Sequence, residues 1–351
     1  MAKKKVAIIT TGGTIAGVSY GPVLDWGPAE GYRLYKAGEL SGSELIARFH
    51  SLEDIADIEV IDLGRIDSIN LNLELIEKYG KAIFDALTRE DIAGVVLTHG
   101  TDTIEYTSMA LSLMLQNLQK PVVITGAIAP PDQRSNHVRT HLEDSIRTAA
   151  YSGINEVLVC FSGDEETTFT NLYQGPHISK TRPRKFNAFD SHGAEPIGTV
   201  REGQICLRAG YVKPAHTKKV ILASGFMEGV VPIMASIMNM DVARGLVLGD
   251  YKAMVLEIYG NVGDNEVAYY IASAMLEKGS PVAFAGDCRR SDHQKDIELQ
   301  KRGAAYLGNM RMNQAAVKMS WAAAQTGKDV LKTQELMYRN VAGEMLPSFY
   351  R

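Results

Sequence analysis

No apolar run in this chain approaches the roughly 20 residues that a membrane-spanning helix requires, so a helical membrane protein is not expected. Charge of one sign is also lacking. Thirty-seven Lys and Arg stand against 41 Asp and Glu, a formal net charge of −4, and no basic stripe offers a nucleic-acid footprint. The one short basic run, Lys3, Lys4 and Lys5, reads as a solvated N-terminus. The apolar stretch behind it, Val6–Thr10, is too short for a signal peptide and is interrupted by Thr-Gly-Gly. Cysteine is scarce. Cys160, Cys206 and Cys288 are odd in number and far apart, which argues against a disulfide framework or a zinc site and suits reduced thiols in a cytoplasm. Cys160 and Cys206 are expected in apolar surroundings. Neither GxGxxG nor GxxxxGK[ST] occurs, so a dinucleotide or P-loop site is not expected. HExxH is missing too, which removes a zinc-protease helix, and the one GxSxG match, Gly17–Gly21, lies in a stretch without clear period and is not read as a serine-hydrolase elbow. There is no internal repeat and no low-complexity tract.

What is present is a globular composition, 45% hydrophobic and 22% charged, on a chain of 351 residues that is long for one domain and comfortable for two. Val6–Thr10 reads as a strand ending in a tight turn, Thr11-Gly12-Gly13-Thr14-Ile15-Ala16-Gly17. Threonines 10, 11 and 14 have a default reading as turn and cap residues. Val18–Gly38 has no clear period and reads as a long loop, a candidate lid carrying Tyr20, Tyr32 and Tyr35. Ser43–His50 reads as a helix and Ile58–Leu63 as a strand. Asp67-Ser68-Ile69-Asn70 then opens a helix over Leu73–Leu87. Ser68 and Asp67 are by default helix caps, although free N–H groups at such a start also hold carboxylates.

Gly94–Glu105, reading GVVLTHGTDTIE, is the second strand-to-turn unit, with a helix expected from about Glu105 to Leu118. It places His99, Thr101, Asp102 and Thr103 in one turn at the carboxyl end of a buried strand, where open α/β sheets bind ligands. Pro121–Thr125 and Glu156–Ser162 read as strands, Ala129–Asn136 as a loop and Val138–Tyr151 as a helix. The alternation of short strands and helices predicts an α/β fold: a large N-terminal, doubly wound and mainly parallel sheet over residues 1–212. Gly163–Ile197 reads as polar and irregular, and its basic Lys180, Arg182, Arg184 and Lys185 by default as solvated surface. Lys213–Lys219 reads as a linker to a smaller C-terminal α/β domain over residues 220–351.

Two threonine-rich turns, an aspartate and an available lysine suggest attack by a hydroxyl on a carbonyl. Such a hydroxyl is weak alone and needs a neighbouring base and donors for the developing oxyanion. From spacing alone, Thr14 and Thr101 rank equally as the attacking group.

The pair TGGTIAG and HGTDTIE, in this order and each behind an apolar strand, resembles the bacterial-type L-asparaginase/glutaminase family, and the resemblance spans essentially the whole chain. It implies Thr14 as nucleophile and Tyr35 as the lid tyrosine that assists it, with Tyr32 a nearby competitor. It implies Ser68 for the substrate α-carboxylate, Asp102 for the α-ammonium, and Thr101 with Lys180 as a second catalytic pair. Lys180 rests on the run KTRPRKFNAFDS, in which Phe189 and Ser191 keep family offsets. The implied activity is hydrolysis of the side-chain amide of L-asparagine, or L-glutamine, through a threonine acyl-enzyme, with no metal and no cofactor. The implied partners are a small amino-acid amide and a second copy of the chain, as a homodimer or homotetramer in the cytoplasm, with no nucleic acid and no membrane. Asp292 and Asp296 are candidates for an acidic residue reaching a neighbouring subunit. Tyr259-Gly260-Asn261-Val262 and Gly308-Asn309-Met310 resemble the family's small domain.

The loop APPDQRSNHVRTHL departs from the family's run of small residues ending in Asn-Leu. Two other readings stand beside the hydrolase. One is the ammonia-donating, asparaginase-like subunit of a Glu-tRNA(Gln) amidotransferase, disfavoured because the first strand begins at Val6. The other is a non-catalytic amino-acid-binding protein on the same fold.

Overall fold

The structure is a computed structural model that describes residues 3–24, 32–286, 293–308 and 310–345, apart from the side chains of 22–24 and 32–33. Trp26, Cys288, Asp292, Asn309 and the Tyr32 side chain thus lie outside the described residues. The chain divides into two compact units, Met1–Leu222 and Ala223–Arg351.

In the first unit the chain enters on β1 (Lys5–Gly12) and passes to a hairpin, β2 (Val18–Leu24) and β3 (Tyr32–Lys36). Two short helices, α1 (Gly42–Ala47) and α2 (Ser51–Ile55), lead to β4 (Asp57–Ile66). Then come α3 (Leu73–Leu87), β5 (Ile92–Thr98), α4 (Ile104–Met114), the two-residue β6 (Leu115–Gln116), β7 (Val122–Thr125), α5 (Ser135–Tyr151) and β8 (Val157–Ser162). β9 (Phe169–Gln174), β10 (Ile178–Lys180), β11 (Phe189–Ser191), β12 (Gly198–Arg201) and β13 (Gln204–Leu207) follow, and β14 (Ile221–Leu222) pairs with β6.

Eight strands form the main sheet, in the order β13-β12-β9-β8-β7-β5-β1-β4. β4, β1, β5, β7 and β8 run parallel, whereas β9, β12 and β13 extend the sheet antiparallel. The inner parallel strands β1, β5, β7 and β8 are apolar and buried, as helix-covered parallel strands are. Val6 and Ile8 of β1 join Val96, Val123, Leu158, Leu45, Leu52, Val138 and Leu142 in one core on the α1–α2–α5 side. The alternate residues Ala7 and Ile9 are equally buried, and α3 packs against β1 and β5. Each fully buried Ile, Leu or Val contributes about 1.5–3 kcal/mol, so the strands carrying the two turns are firmly held.

Several expected elements differ. Within Val18–Gly38 the described residues form two paired strands, because β2 and β3 bond through their backbones. Gly163–Ile197 carries β9, β10 and β11, strands whose polar residues hid their pattern. The predicted helix at Ser43–His50 ends early, α1 stopping at Ala47, and a second helix, α2, starts only at Ser51. α4 ends at Met114, where the chain enters β6. α5 starts at Ser135 and takes over the end of the expected loop. α3 is capped by Asn72, which accepts from Leu75 N at 2.9 Å; Asp67 caps a separate 3-10 turn over Ser68–Asn70. Cys160 is buried, and burial pushes its thiol up to about 12, whereas Cys206 is exposed on β13 rather than in apolar surroundings.

The second unit has a parallel sheet of four strands, β15 (Val230–Met234), β16 (Ala253–Glu257), β17 (Val282–Ala285) and β18 (Ala305–Tyr306). Its helices are α6 (Met240–Leu246), α7 (Glu266–Glu277), α8 (Gln294–Lys301), α9 (Met312–Thr326) and α10 (Val330–Tyr338). β15 stops at Met234, and α6 begins at Met240, capped by Asn239. α9 carries Lys318, fully buried and paired with Glu344 at 2.6 Å. Lys318 also donates to Arg339 O at 2.7 Å, and Glu344 accepts from the backbone N–H groups of Val341 and Ala342. Every charge in this knot therefore has partners, which a buried ion pair requires. Among the described residues no helix is long and apolar enough to cross a membrane.

Candidate active site

The first turn is shaped by its glycines. The β1–β4 pairing shifts register between Thr10 and Gly12, and the chain leaves the sheet through Gly12 (φ 98°) and Gly13 (φ 76°). Side chains rarely adopt that conformation. Space is closed as well: a Cβ on Gly12 would sit 2.7 Å from Ile66 O, and one on Gly13 would sit 2.6 Å from Gly100 N. The second contact brings the two turns together, the end of β1 lying directly against the end of β5. Gly100 in turn approaches Ser68, whose Cβ would lie 2.5 Å from a Cβ added there. Three strand ends, those of β1, β4 and β5, thus converge at one point.

The threonines of the first turn separate by partner. Thr10 faces the core with its hydroxyl against Gly42. Thr11 Oγ1 donates to Thr98 O at 2.9 Å and ties β1 to β5. Thr14, 9% exposed, donates from Oγ1 to the Tyr35 hydroxyl at 3.2 Å. Tyr35 lies on β3, 21 residues away. The hairpin base is sewn to the turn by Gly38 N donating to Gly13 O at 3.0 Å and Leu40 N to Ala16 O at 2.9 Å.

In the second turn, Lys180 Nζ donates to Thr101 Oγ1 at 2.8 Å and to Asp102 Oδ1 at 2.6 Å. The Lys180 side chain is only 11% exposed, whereas that of Asp102 is 64% exposed. Lys180 ends β10, opposite Phe189 of β11, and the Phe189 ring packs on Phe161 at 4.7 Å. That anchor turns Lys180 inward. Its basic neighbours belong to the surface: Arg182 pairs with Asp190 at 2.7 Å, and Lys185 lies 3.5 Å from Glu165. Sequence reasoning gave Thr101–Lys180 and Asp102 separate roles, but one ammonium bridges both.

His99 is part of the frame. Its Nδ1–H donates to Gly100 O at 2.7 Å, and Nε2 accepts from Thr107 Oγ1 at 3.0 Å. Complete burial lowers its pKa to about 4, so the ring is uncharged at neutral pH. Two further groups fix the turn and carried no separate reading in the sequence. Thr103 Oγ1 donates to Ser68 O at 3.1 Å, and Glu105 Oε2 accepts from Lys180 N at 3.4 Å. Glu105 lies inside the HGTDTIE run, so its position alone could have flagged it.

The atypical loop borders this frame. A Cβ on Gly126, in the turn after β7, would lie 3.2 Å from Thr101 Cγ2. That turn is gripped from α5: His141 Nδ1–H donates to Gly126 O at 2.7 Å, and Ile128 N donates to His137 Nε2 at 3.3 Å. The two rings touch at a tilt, centroids 4.2 Å apart, and meet Ser162 and Thr167. Burial holds both imidazoles neutral, lowering His141 to about 4 and His137 well below its ordinary value.

Of the predicted residues, Thr14 with Tyr35 and Thr101 with Lys180 and Asp102 form two hydroxyl-centred groups on touching turns, and Ser68 lies against Gly100 between their strands. Asp296 is 1% exposed and accepts from Tyr306 OH at 3.3 Å within its own unit. Among the described residues no group of three His, Cys, Asp or Glu is placed to hold a metal ion.

The class of protein to which this α/β frame belongs follows from its relatives. The asparaginase N-terminal family matches residues 5–212, and the chain belongs to that family of amidohydrolases. It is 26% identical to a glutamyl-tRNA(Gln) amidotransferase subunit of Methanosphaera stadtmanae, over 98% of this chain and 77% of that protein. It superimposes on the thermostable L-asparaginase from Thermococcus kodakarensis with a TM-score of 0.78 and 25% identity, covering 97% of this chain and 99% of the other. A probable cytoplasmic L-asparaginase from Campylobacter jejuni matches with a TM-score of 0.76 and 26% identity, over 95% and 99% of the two chains.

Proposed function

We propose that this protein hydrolyses the side-chain amide of L-asparagine, with L-glutamine the alternative amide, through a Thr14 acyl-enzyme. The observation that carries the reading is the pairing of two hydroxyl groups, Thr14–Tyr35 and Thr101–Lys180–Asp102, on turns that touch at Gly13 and Gly100. Thr14 Oγ1 attacks the amide carbon, and its proton passes through the Tyr35 hydroxyl, which accepts one hydrogen bond and can donate another. A C–O ester bond forms, the C–N bond breaks, and the nitrogen leaves as ammonia. Water, oriented by Thr101 and Lys180, then releases the acid and restores Thr14. The exposed Asp102 has its second carboxylate oxygen to offer the substrate ammonium, and Ser68 the hydroxyl for its carboxylate.

A cytoplasmic homodimer or homotetramer of two-domain chains, linked through 213–219, completes the proposal. The second reading, in which the same hydrolysis feeds ammonia to a partner subunit, is supported by the similarity to the Methanosphaera stadtmanae amidotransferase subunit over 98% of the chain.

The test is ammonia release from L-asparagine, L-glutamine and their D-forms. Thr14→Ala and Thr101→Val are each expected to lower kcat by at least about 100-fold, in line with loss of a nucleophile or its activating group. Absence of release from every amide by well-folded protein refutes the hydrolase, and unchanged release by Thr14→Ala refutes the assignment of Thr14.

A further inference from the structure

The hairpin that brings Tyr35 to Thr14 is a two-stranded sheet of its own, β2 with β3, outside the eight-stranded sheet. Two strands alone are marginal in water, so a hairpin's position is set by what its edges are fastened to. Its base is fastened by the backbone bonds from Gly38 and Leu40. Further out, Tyr35 pairs with Ser19 of β2. The Ser19 N–H points away from β3 and donates to Asp132 Oδ2 at 3.0 Å, while Ser19 Oγ donates to Asp132 Oδ1 at 3.0 Å. Gln133 Nε2 donates to the same Oγ at 2.7 Å. One carboxylate therefore takes both donors of the residue opposite Tyr35, and the adjacent amide takes the acceptor.

Asp132 stands on a firm base. Pro130 and Pro131 precede it, and a Cβ on Gly17 would lie 3.3 Å from Pro130 Cβ. Gln133 N and Arg134 N both donate to Pro130 O, at 3.0 and 3.1 Å, closing the turn into α5. The start of α5 is held by His137 accepting from Ile128 N. A continuous path of bonded groups thus runs from the buried helix α5, through Asp132 and Ser19, to the strand pair that holds Tyr35.

We infer that Asp132 is a positioning residue for the Tyr35 hydroxyl, acting through Ser19, and that the atypical Pro-Pro-Asp-Gln loop is this chain's device for fixing the distance from Tyr35 to Thr14. The catalytic consequence rests on the proposed amide hydrolysis, whereas the clamp itself does not. A misplacement of about 1 Å in a reacting group costs on the order of 100-fold in rate, and Asp132 removal leaves the base of the hairpin bonded, so a smaller loss is expected.

The experiment compares wild type, Asp132→Ala, Asp132→Asn and Ser19→Ala in the full-length protein. Hydrogen exchange over residues 17–21 and 34–36, without substrate, reads the clamp. Steady-state ammonia release from L-asparagine reads its consequence. Asp132→Ala is expected to speed exchange at Ser19 and to lower kcat about 10-fold with KM changed less than about twofold. Asp132→Asn keeps one acceptor and is expected to recover part of both; Ser19→Ala keeps the N–H donor and is expected to fall between. Exchange at Ser19 unchanged in Asp132→Ala overturns the clamp. Faster exchange with unchanged kcat overturns the positioning of Tyr35, as does a kcat loss that tracks a fall in thermal midpoint and is not eased in Asp132→Asn. If wild type releases ammonia from no amide, the functional reading and the Tyr35 role fall together, and the exchange result still decides the clamp.

Discussion

Replacing His99 by glutamine is expected to change the pH dependence of stability more than stability itself. The imidazole is 1% exposed, neutral, and bonded at both nitrogens. Its pKa falls from 6.5 to about 4, with desolvation as the leading cause. Between those two values the unfolded chain binds a proton that the folded protein refuses, so folding stability decreases as pH falls from about 6.5 to about 4 and is fully present above that window. At about 1.4 kcal/mol per pH unit the loss is about 3 kcal/mol. Other buried groups act in the same range. His141 and His137 have the same sign, whereas Asp144, raised to about 6 by burial, and Glu156, also raised, have the opposite one. The raw slope of the wild type is therefore a mixture, and the difference between wild type and variant isolates His99. Glutamine forfeits part of two buried hydrogen bonds, about 1–2 kcal/mol at pH 7, but carries no titrating group. The wild type is expected to be the more stable protein at pH 7, and its advantage to vanish or reverse near pH 4. Urea unfolding followed by circular dichroism at half-unit intervals measures both curves. Parallel curves from pH 7 to pH 4 would refute the view that His99 is a neutral strut of the turn.

Two further substitutions probe the frame. Gly100→Ala places a Cβ 2.5 Å from Ser68 Cβ; the overpacking is expected to cost about 1–3 kcal/mol in urea unfolding and a larger share of amide hydrolysis, because it parts the strand ends of β4 and β5. In the second unit, Lys318→Met alone strands the Glu344 carboxylate and is expected to cost about 3–5 kcal/mol, while Lys318→Met with Glu344→Leu is expected to cost less than that single change. Thermal unfolding of wild type, Lys318→Met, Glu344→Leu and the double variant checks it, and strict additivity would show that the pair is not coupled.

The parts of the site that lie within one turn were legible in the sequence because their chemistry is local. Thr14 behind a Gly-Gly step, and Thr101-Asp102 behind a buried strand, follow from glycine's freedom and from the apolar strand that precedes each turn. Alternation of apolar runs with amphipathic helices likewise made the α/β class readable. Elements with weaker patterns were not: β9 to β11 carry polar residues on both faces, and the Val18–Gly38 segment pairs with itself through backbone groups that every residue possesses.

What the tertiary structure decided is which of several chemically equal side chains reaches the site. Three threonines share the first turn, and only the packing of β1 against α1 and β5 sends Thr10 to the core, Thr11 to Thr98 and Thr14 to Tyr35. Four basic residues share one segment, and only the seat of Phe189 on Phe161 turns Lys180 inward across 79 residues to Thr101. Asp132, His137 and His141 gave no local signal, because their partners lie on other elements. The sequence by itself specified the turns and the residue types they carry, since backbone sterics and short spacing act within a few residues. Partner, distance and charge state came from the fold, since burial and long-range contact exist only once the strands lie side by side.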